Sequence, residues 1–188
     1  GNTSREHAIS EGPTGMLTIS GGKLPSSRVM AKHLVDAALK ALHRPAGAYT
    51  AGNTPISGGR DFDHAAFRQQ ASTAGVPAAV TDTWIRRYGS NAPRVLTLWQ
   101  QDPHAQDEIS PRGLTRAEIR YCVQEEMCAS LADLMIRRTS LFFWDEHGGL
   151  DGIDEITAEL AQLLGWTPEQ ERQQTDAYRV LVDAHRRS

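Results

Sequence analysis

The sequence predicts a mainly α fold, a C-terminal helical bundle preceded by a short strand–turn–helix piece. Three observations point there. Beyond residue 60, apolar residues recur at three- and four-residue spacing in one segment after another. Those segments carry legible caps and stops. The one clear β-type run, Met16 to Ser20, breaks at Gly21-Gly22, where the backbone is free to take positive φ or to approach a ligand closely.

The elements follow in order. After Lys23-Leu24-Pro25, the stretch 26–43 places Met30, Leu34, Val35, Ala38, Leu39 and Leu42 at helical spacing, with Ser26 as its expected cap. His43 and Arg44 suit the negative end of that helix and Pro45 stops it. Residues 45–60, rich in Gly, Pro, Thr and Ser, read as a linker between residues 1–44 and a helical unit over 61–188. Helices are then expected over 61–73, 77–88, 92–101, 115–143, 153–164 and 168–187. Pro77 suits a helix start and Gly89 a stop. Thr115 with Glu118, and Thr167 with Gln170, have the spacing of capping boxes. The 115–143 stretch is expected as one long helix, with Ile119, Val123, Met127, Leu131 and Leu134 as its apolar stripe and Asp133–Arg137 as a surface ion pair.

Composition narrows the class of function. With 188 residues, 39% of them hydrophobic, 23% charged, and a formal net charge of −3, the chain is an ordinary globular protein. A basic nucleic-acid clamp is excluded, and no nucleic-acid partner is expected. No apolar run approaches the ~18 residues that cross a bilayer, and the first ten residues lack the pattern of a signal peptide, so a cytoplasmic location is expected. Cys122 and Cys128, placed on one helix, would lie about 9 Å apart, too far for a disulfide. They read as small core residues in a reducing compartment. No dinucleotide fingerprint, P-loop, zinc motif or EF-hand loop is present, and no metal is expected.

Gly21-Gly22-Lys23 is the motif that carries chemistry. Two glycines let backbone N–H groups approach an anion, and the ammonium adds a mobile point charge. That combination suits a phosphate, although a glycine turn with an exposed lysine is commonly no more than a turn. Only three of the twenty basic residues are lysines, and Lys23 is the first of them.

The context of the motif resembles a known family. Ser4-Arg5-Glu6-His7, then Gly15 through Leu24, then Arg28 and Met30-Ala31, is similar to the stretch that closes the flavin-binding domain of FAD-dependent glycerol-3-phosphate dehydrogenases. Arg87-Tyr88-Gly89-Ser90, Ala117-Glu118-Ile119-Arg120-Tyr121, Glu126-Met127, Asp133, Arg137-Arg138-Thr139 and Leu164-Gly165-Trp166 resemble that family's helical C-terminal domain. One departure stands out: Pro25-Ser26-Ser27 occupies the place of the family's usual T-T-Y.

The resemblance implies oxidation of glycerol 3-phosphate to dihydroxyacetone phosphate, with hydride passing to FAD and electrons onward to quinone. It implies that Arg5 and Lys23 lie at the substrate, and that Gly21, Gly22 and Lys23 lie at the flavin. The family's dinucleotide fingerprint lies upstream of these residues, so residues 1–44 are expected to be the C-terminal edge of an FAD-binding domain. The chain alone is expected neither to retain FAD nor to turn over, and in the full-length protein peripheral membrane association and a homodimer are expected. Two alternatives stay open. One is a glycerol-3-phosphate oxidase that uses O₂; the other is a non-catalytic helical interaction or dimerisation module.

Overall fold

The computed structural model describes residues 6–110 and 112–187. It contains two compact units, divided between Ile56 and Ser57.

The first unit is a hairpin and a helix. Strands β1 (His7–Glu11) and β2 (Leu17–Gly21) pair antiparallel, with His7 opposite Gly21, Ile9 opposite Ile19 and Glu11 opposite Leu17. The sequence reading anticipates β2 but not β1. Its sign was the intervening Gly12-Pro13-Thr14-Gly15, a turn signature with Pro at its second position and Gly15 at φ 80°. Helix α1 (Ser27–Ala41) follows a single tight turn, Leu24–Ser26. Ser26 does not cap α1 as expected: its hydroxyl donates instead to the Lys23 carbonyl at 2.7 Å, closing the tight turn that Pro25 begins. At the other end His43 takes φ 51°, the His43 N–H bonds to the Lys40 carbonyl and the Arg44 N–H to the Leu39 carbonyl. This is a Schellman closure with histidine in the position glycine usually holds. No described residue of this unit is buried, and Met16, Leu24, Val35 and Leu42 expose most of their apolar surface.

The second unit is helical, with α2 (His64–Thr73), α3 (Ala78–Tyr88), α4 (Ala92–Gln101), α5 (Arg116–Glu125), α6 (Leu141–Trp144), α7 (Ile153–Leu164) and α8 (Pro168–Arg187). It has two hydrophobic cores. Phe67, Val80, Trp84, Tyr88, Val95 and Trp99 form one, chiefly from α2, α3 and α4. Leu131, Leu134, Leu141, Ile156, Leu160 and Tyr178 belong to the other. Helix α5 serves both, giving Ala117 and Tyr121 to the first and Ile119 and Cys122 to the second. Both expected capping boxes form, Thr115 with Glu118 at α5 and Thr167 with Gln170 at α8.

The long helix expected over 115–143 is corrected by the structure. Helix α5 ends at Glu125, and Met127, expected in the apolar stripe, has φ 53° and is 87% exposed. The Cys122 carbonyl accepts from both Glu126 and Cys128 N–H, turning the chain out of the helix. Cys128 therefore lies beyond α5 rather than on it; both cysteines are buried and free. Helix restarts where the Ser130 hydroxyl accepts from the Asp133 N–H at 3.1 Å. Residues Asp133–Arg138 then form a wide π-type turn, in which the Thr139 N–H bonds five residues back to the Leu134 carbonyl. Ser140, at φ 57°, ends it before α6.

Candidate functional site

The glycine–lysine turn lies where β2 leaves the hairpin. Gly21 and Gly22 have φ of 78° and 79°, a conformation that side-chain-bearing residues rarely adopt. A Cβ on Gly21 would come within 2.8 Å of the Glu6 carbonyl oxygen, so the close pairing of β1 and β2 also requires glycine there. On Gly22 a Cβ would lie 2.5 Å from the Met30 sulfur, the flexible tip of an α1 side chain. Gly21, Gly22 and Lys23 are all exposed. Lys23 is extended, and its ammonium has no ion-pair partner among the described residues. The turn thus presents open backbone beside one uncompensated positive charge, a composition that fits an anionic group such as a phosphate. Arg5 lies outside the described residues.

The histidines, individually uninformative in the sequence, include one pair brought together by the fold. His7 on β1 and His33 on α1 approach to 2.9 Å between Nε2 and Nδ1, 26 residues apart. His7 is the residue paired with Gly21, so imidazole nitrogen borders the turn. The alternation of β1 with β2, once seen, would have put His7 on the half-buried face with Ile9.

In the helical unit, the residues that resemble the family's motifs hold structure together. Arg137 pairs with Asp133 at 2.6 Å, and the Arg138 Nε donates to the Glu126 carbonyl at 2.9 Å. Gly89 takes φ 51°, and a Cβ there would sit 2.2 Å from the Gly58 carbonyl oxygen. That carbonyl accepts from the Ser90 N–H, so the stretch 57–58 lies directly on the end of α3. Arg116 and Arg120 bracket the buried Glu159 at 2.8 and 2.9 Å.

The fold class is a mainly helical domain with two cores sharing one helix, accompanied by a small hairpin-and-helix unit. The family model for the C-terminal domain of alpha-glycerophosphate oxidase matches residues 50–171, and the chain belongs to that family. It is 31% identical to the aerobic glycerol-3-phosphate dehydrogenase of Staphylococcus haemolyticus (strain JCSC1435) over 192 residues, 96% of this chain and 34% of that protein. It is 29% identical to the enzyme of that name from Bacillus subtilis (strain 168) over 193 residues, 95% of this chain and 34% of that protein. The chain thus spans about a third of the length of these relatives. Among solved structures, the glycerol-3-phosphate dehydrogenase from Bacillus halodurans complexed with FAD shares the fold, with a TM-score of 0.76 at 24% identity over 93% of this chain and 36% of that one.

Proposed function

We propose that this chain is the C-terminal part of a flavoprotein that oxidises sn-glycerol 3-phosphate to dihydroxyacetone phosphate. The single observation that carries the proposal is the Gly21-Gly22-Lys23 turn, exposed, backbone-open and cationic, within a chain similar over nearly its whole length to named glycerol-3-phosphate dehydrogenases. Residues 1–44 are then the closing edge of the FAD-binding domain, 45–60 a linker and 61–188 the helical domain. The absence of any buried residue among those described in the first unit supports this reading. A hairpin and helix with no interior of their own gain stability by covering Leu24, Val35 and Leu42 against the rest of a larger domain.

A bound FAD would supply the hydride acceptor for the secondary carbon and the electron relay to quinone. This chain's residues bind and orient. Lys23 is the point charge that holds the substrate phosphate beside the flavin, and Arg5 grips phosphate oxygens in two-pronged fashion. Gly21 and Gly22, lacking side chains, let main chain pass close to the cofactor. These residues form one edge of a pocket, and one edge does not bury a ligand, so the 188 residues alone hold no FAD. The same proposal includes a homodimer at the inner face of the cell membrane, attached peripherally; among the described residues no helix is long and apolar enough to cross.

The test uses the full-length protein. Glycerol 3-phosphate should bleach its flavin anaerobically and support reduction of a soluble quinone, while Lys23→Ala should raise KM and lower kcat. A flavin that glycerol 3-phosphate leaves oxidised refutes the substrate assignment. Unchanged kinetics in Lys23→Ala make Gly21-Gly22-Lys23 an ordinary turn. Stoichiometric oxygen uptake without quinone would convert the enzyme to an oxidase; the relatives' shared name of dehydrogenase favours the opposite result.

A further inference from the structure

We infer that the helical unit carries a second anion site, independent of the glycine–lysine turn, that takes a phosphoryl group. A cavity of about 390 Å³ opens between the end of α3, the 112 turn and the start of α6. Its wall includes four arginines, Arg86, Arg87, Arg112 and Arg138, together with Ser140 and, at its rim, Trp144, 74% exposed. No acidic side chain among the described residues lines it. These arginines come from three separate stretches of sequence, so the fold assembles the cluster.

Four like charges around one cavity repel unless something answers them. The protein supplies only part of the answer. Arg87 is satisfied by the buried Glu118, 2.8 Å away. Arg112 has Asp145 at 3.7 Å and Arg138 has Glu126 at 3.8 Å, both beyond hydrogen-bond reach for the charged groups named. Arg86 donates to the Thr83 hydroxyl at 3.1 Å and has no carboxylate partner among the described residues. The Ser140 hydroxyl has no partner among the described residues either.

Another cavity of the same unit shows what a self-compensated cluster looks like. Around about 240 Å³, Arg116 and Arg120 alternate with Asp102, Asp107 and Glu159, and the two arginines bond Glu159 and Asp102 at 2.6 to 2.9 Å. There every guanidinium has its counter-charge in place. In the first cavity Arg138 spends one N–H on the Glu126 carbonyl at 2.9 Å, while Arg86 and Arg112 hold no carboxylate within hydrogen-bond distance among the described residues, and planar forks match the tetrahedral oxygens of a phosphoryl group. Trp144 offers a flat surface for whatever body that group is attached to. The phosphoryl group could belong to a soluble phosphorylated compound or to an anionic lipid headgroup, and the chemistry of recognition is the same.

The experiment titrates the intact protein with inorganic pyrophosphate by calorimetry at low and high salt, and separately sediments it with vesicles of 30% phosphatidylglycerol in phosphatidylcholine. The comparison is with Arg86→Gln/Arg112→Gln, two exposed positions whose neutralisation leaves both cores untouched, with circular dichroism as the check on folding. The expected result is salt-sensitive pyrophosphate binding that the double variant weakens at least about tenfold. Tighter retention on vesicles than in pyrophosphate, lost in the same variant, assigns the phosphoryl group to lipid; pyrophosphate binding without vesicle retention assigns it to a soluble ligand. Binding to neither probe, or binding that the double variant leaves unchanged, overturns the proposal.

Discussion

Arg87 and Glu118, 31 residues apart, meet at 2.8 Å between α3 and α5, and the carboxylate is fully buried. The same Glu118 oxygen accepts from the Tyr88 hydroxyl at 3.1 Å, while its other oxygen accepts from the Thr115 N–H at 3.2 Å. One side chain thus joins two helices and closes the cap of the second. Burial, and then the Glu118 charge, push the Tyr88 phenol well above its ordinary range, which keeps it a donor. Burial alone would lower the Arg87 pKa, but Glu118 beside it leaves the guanidinium raised and charged.

Glu118→Ala should therefore destabilise the helical unit by about 3–5 kcal/mol, because Arg87 and Tyr88 lose a partner in the interior. Glu118→Gln keeps one acceptor oxygen for Arg87 and Tyr88, sets its amide NH₂ against the Thr115 N–H, and should lose less. Replacing both ends of the pair, Arg87→Met with Glu118→Leu, should recover part of the loss. Urea unfolding measures all three, and a Glu118→Ala variant as stable as wild type would show that the pair contributes nothing.

The two cysteines should be inert in the folded chain. Burial, with Asp133 nearby, pushes the Cys128 thiol up to about 11, and burial pushes Cys122 well above its ordinary value. At pH 8 a thiol of that kind is about one part in a thousand thiolate. Alkylation by iodoacetamide at pH 8 should be negligible in native buffer and complete for both residues in guanidinium chloride. Rapid native labelling of either would mean that the region around Glu126–Ser130 opens easily.

Much of this architecture was legible because local signals and tertiary demands agree. Helices α4, α7 and α8 form over the stretches their periodicity marks, and Thr115, Thr167 and Gly89 act at the ends of α5, α8 and α3 as their residue types suggest. The reading failed where a weak signal competed with a strong one. Around Met127 the apolar spacing continues through the break, and the competing sign was Ser130 three residues before Asp133, a helix start hidden inside an apparent helix. Strand β1 was hidden by its polar content. The arginine cavity was not legible at all, since Arg86-Arg87, Arg112 and Arg138 come together only through tertiary packing, α3 belonging to the first core and α6 to the second. The Gly21-Gly22-Lys23 turn was legible as a motif, whereas its bordering His7–His33 pair depends on the unseen hairpin.

Asp133 makes stability depend on acid. Burial raises its pKa, but hydrogen bonds from Ser130, the Ala129 N–H and Arg137 outweigh it, so the folded value lies below the ordinary 3.8. A depressed carboxylate favours the folded state fully above the unfolded value, and this contribution fades as pH falls through the folded one. Asp133→Asn should therefore be less stable than wild type near neutrality, with the gap narrowing as pH falls through 3.8 and closing only below the lower folded value. A gap that stays constant through that fall would show that the aspartate acts through its shape and not its charge.

Gly21→Ala tests the turn through its backbone. Its φ of 78° disfavours any side chain, and the added methyl would meet the Glu6 carbonyl oxygen at 2.8 Å, a main-chain atom held by the pairing of β1 with β2. Such strain costs of order 1–3 kcal/mol, and with no buried residue described in this unit there is little packing to absorb it. In the full-length protein the variant should retain less flavin per chain, read from the visible absorbance against protein, and should bind glycerol 3-phosphate more weakly. The helical unit has its own cores, so its far-ultraviolet dichroism should stay at the wild-type level. Wild-type flavin content and KM in Gly21→Ala would show that the turn tolerates a side chain and lies away from the cofactor, which removes the main support for its assigned role.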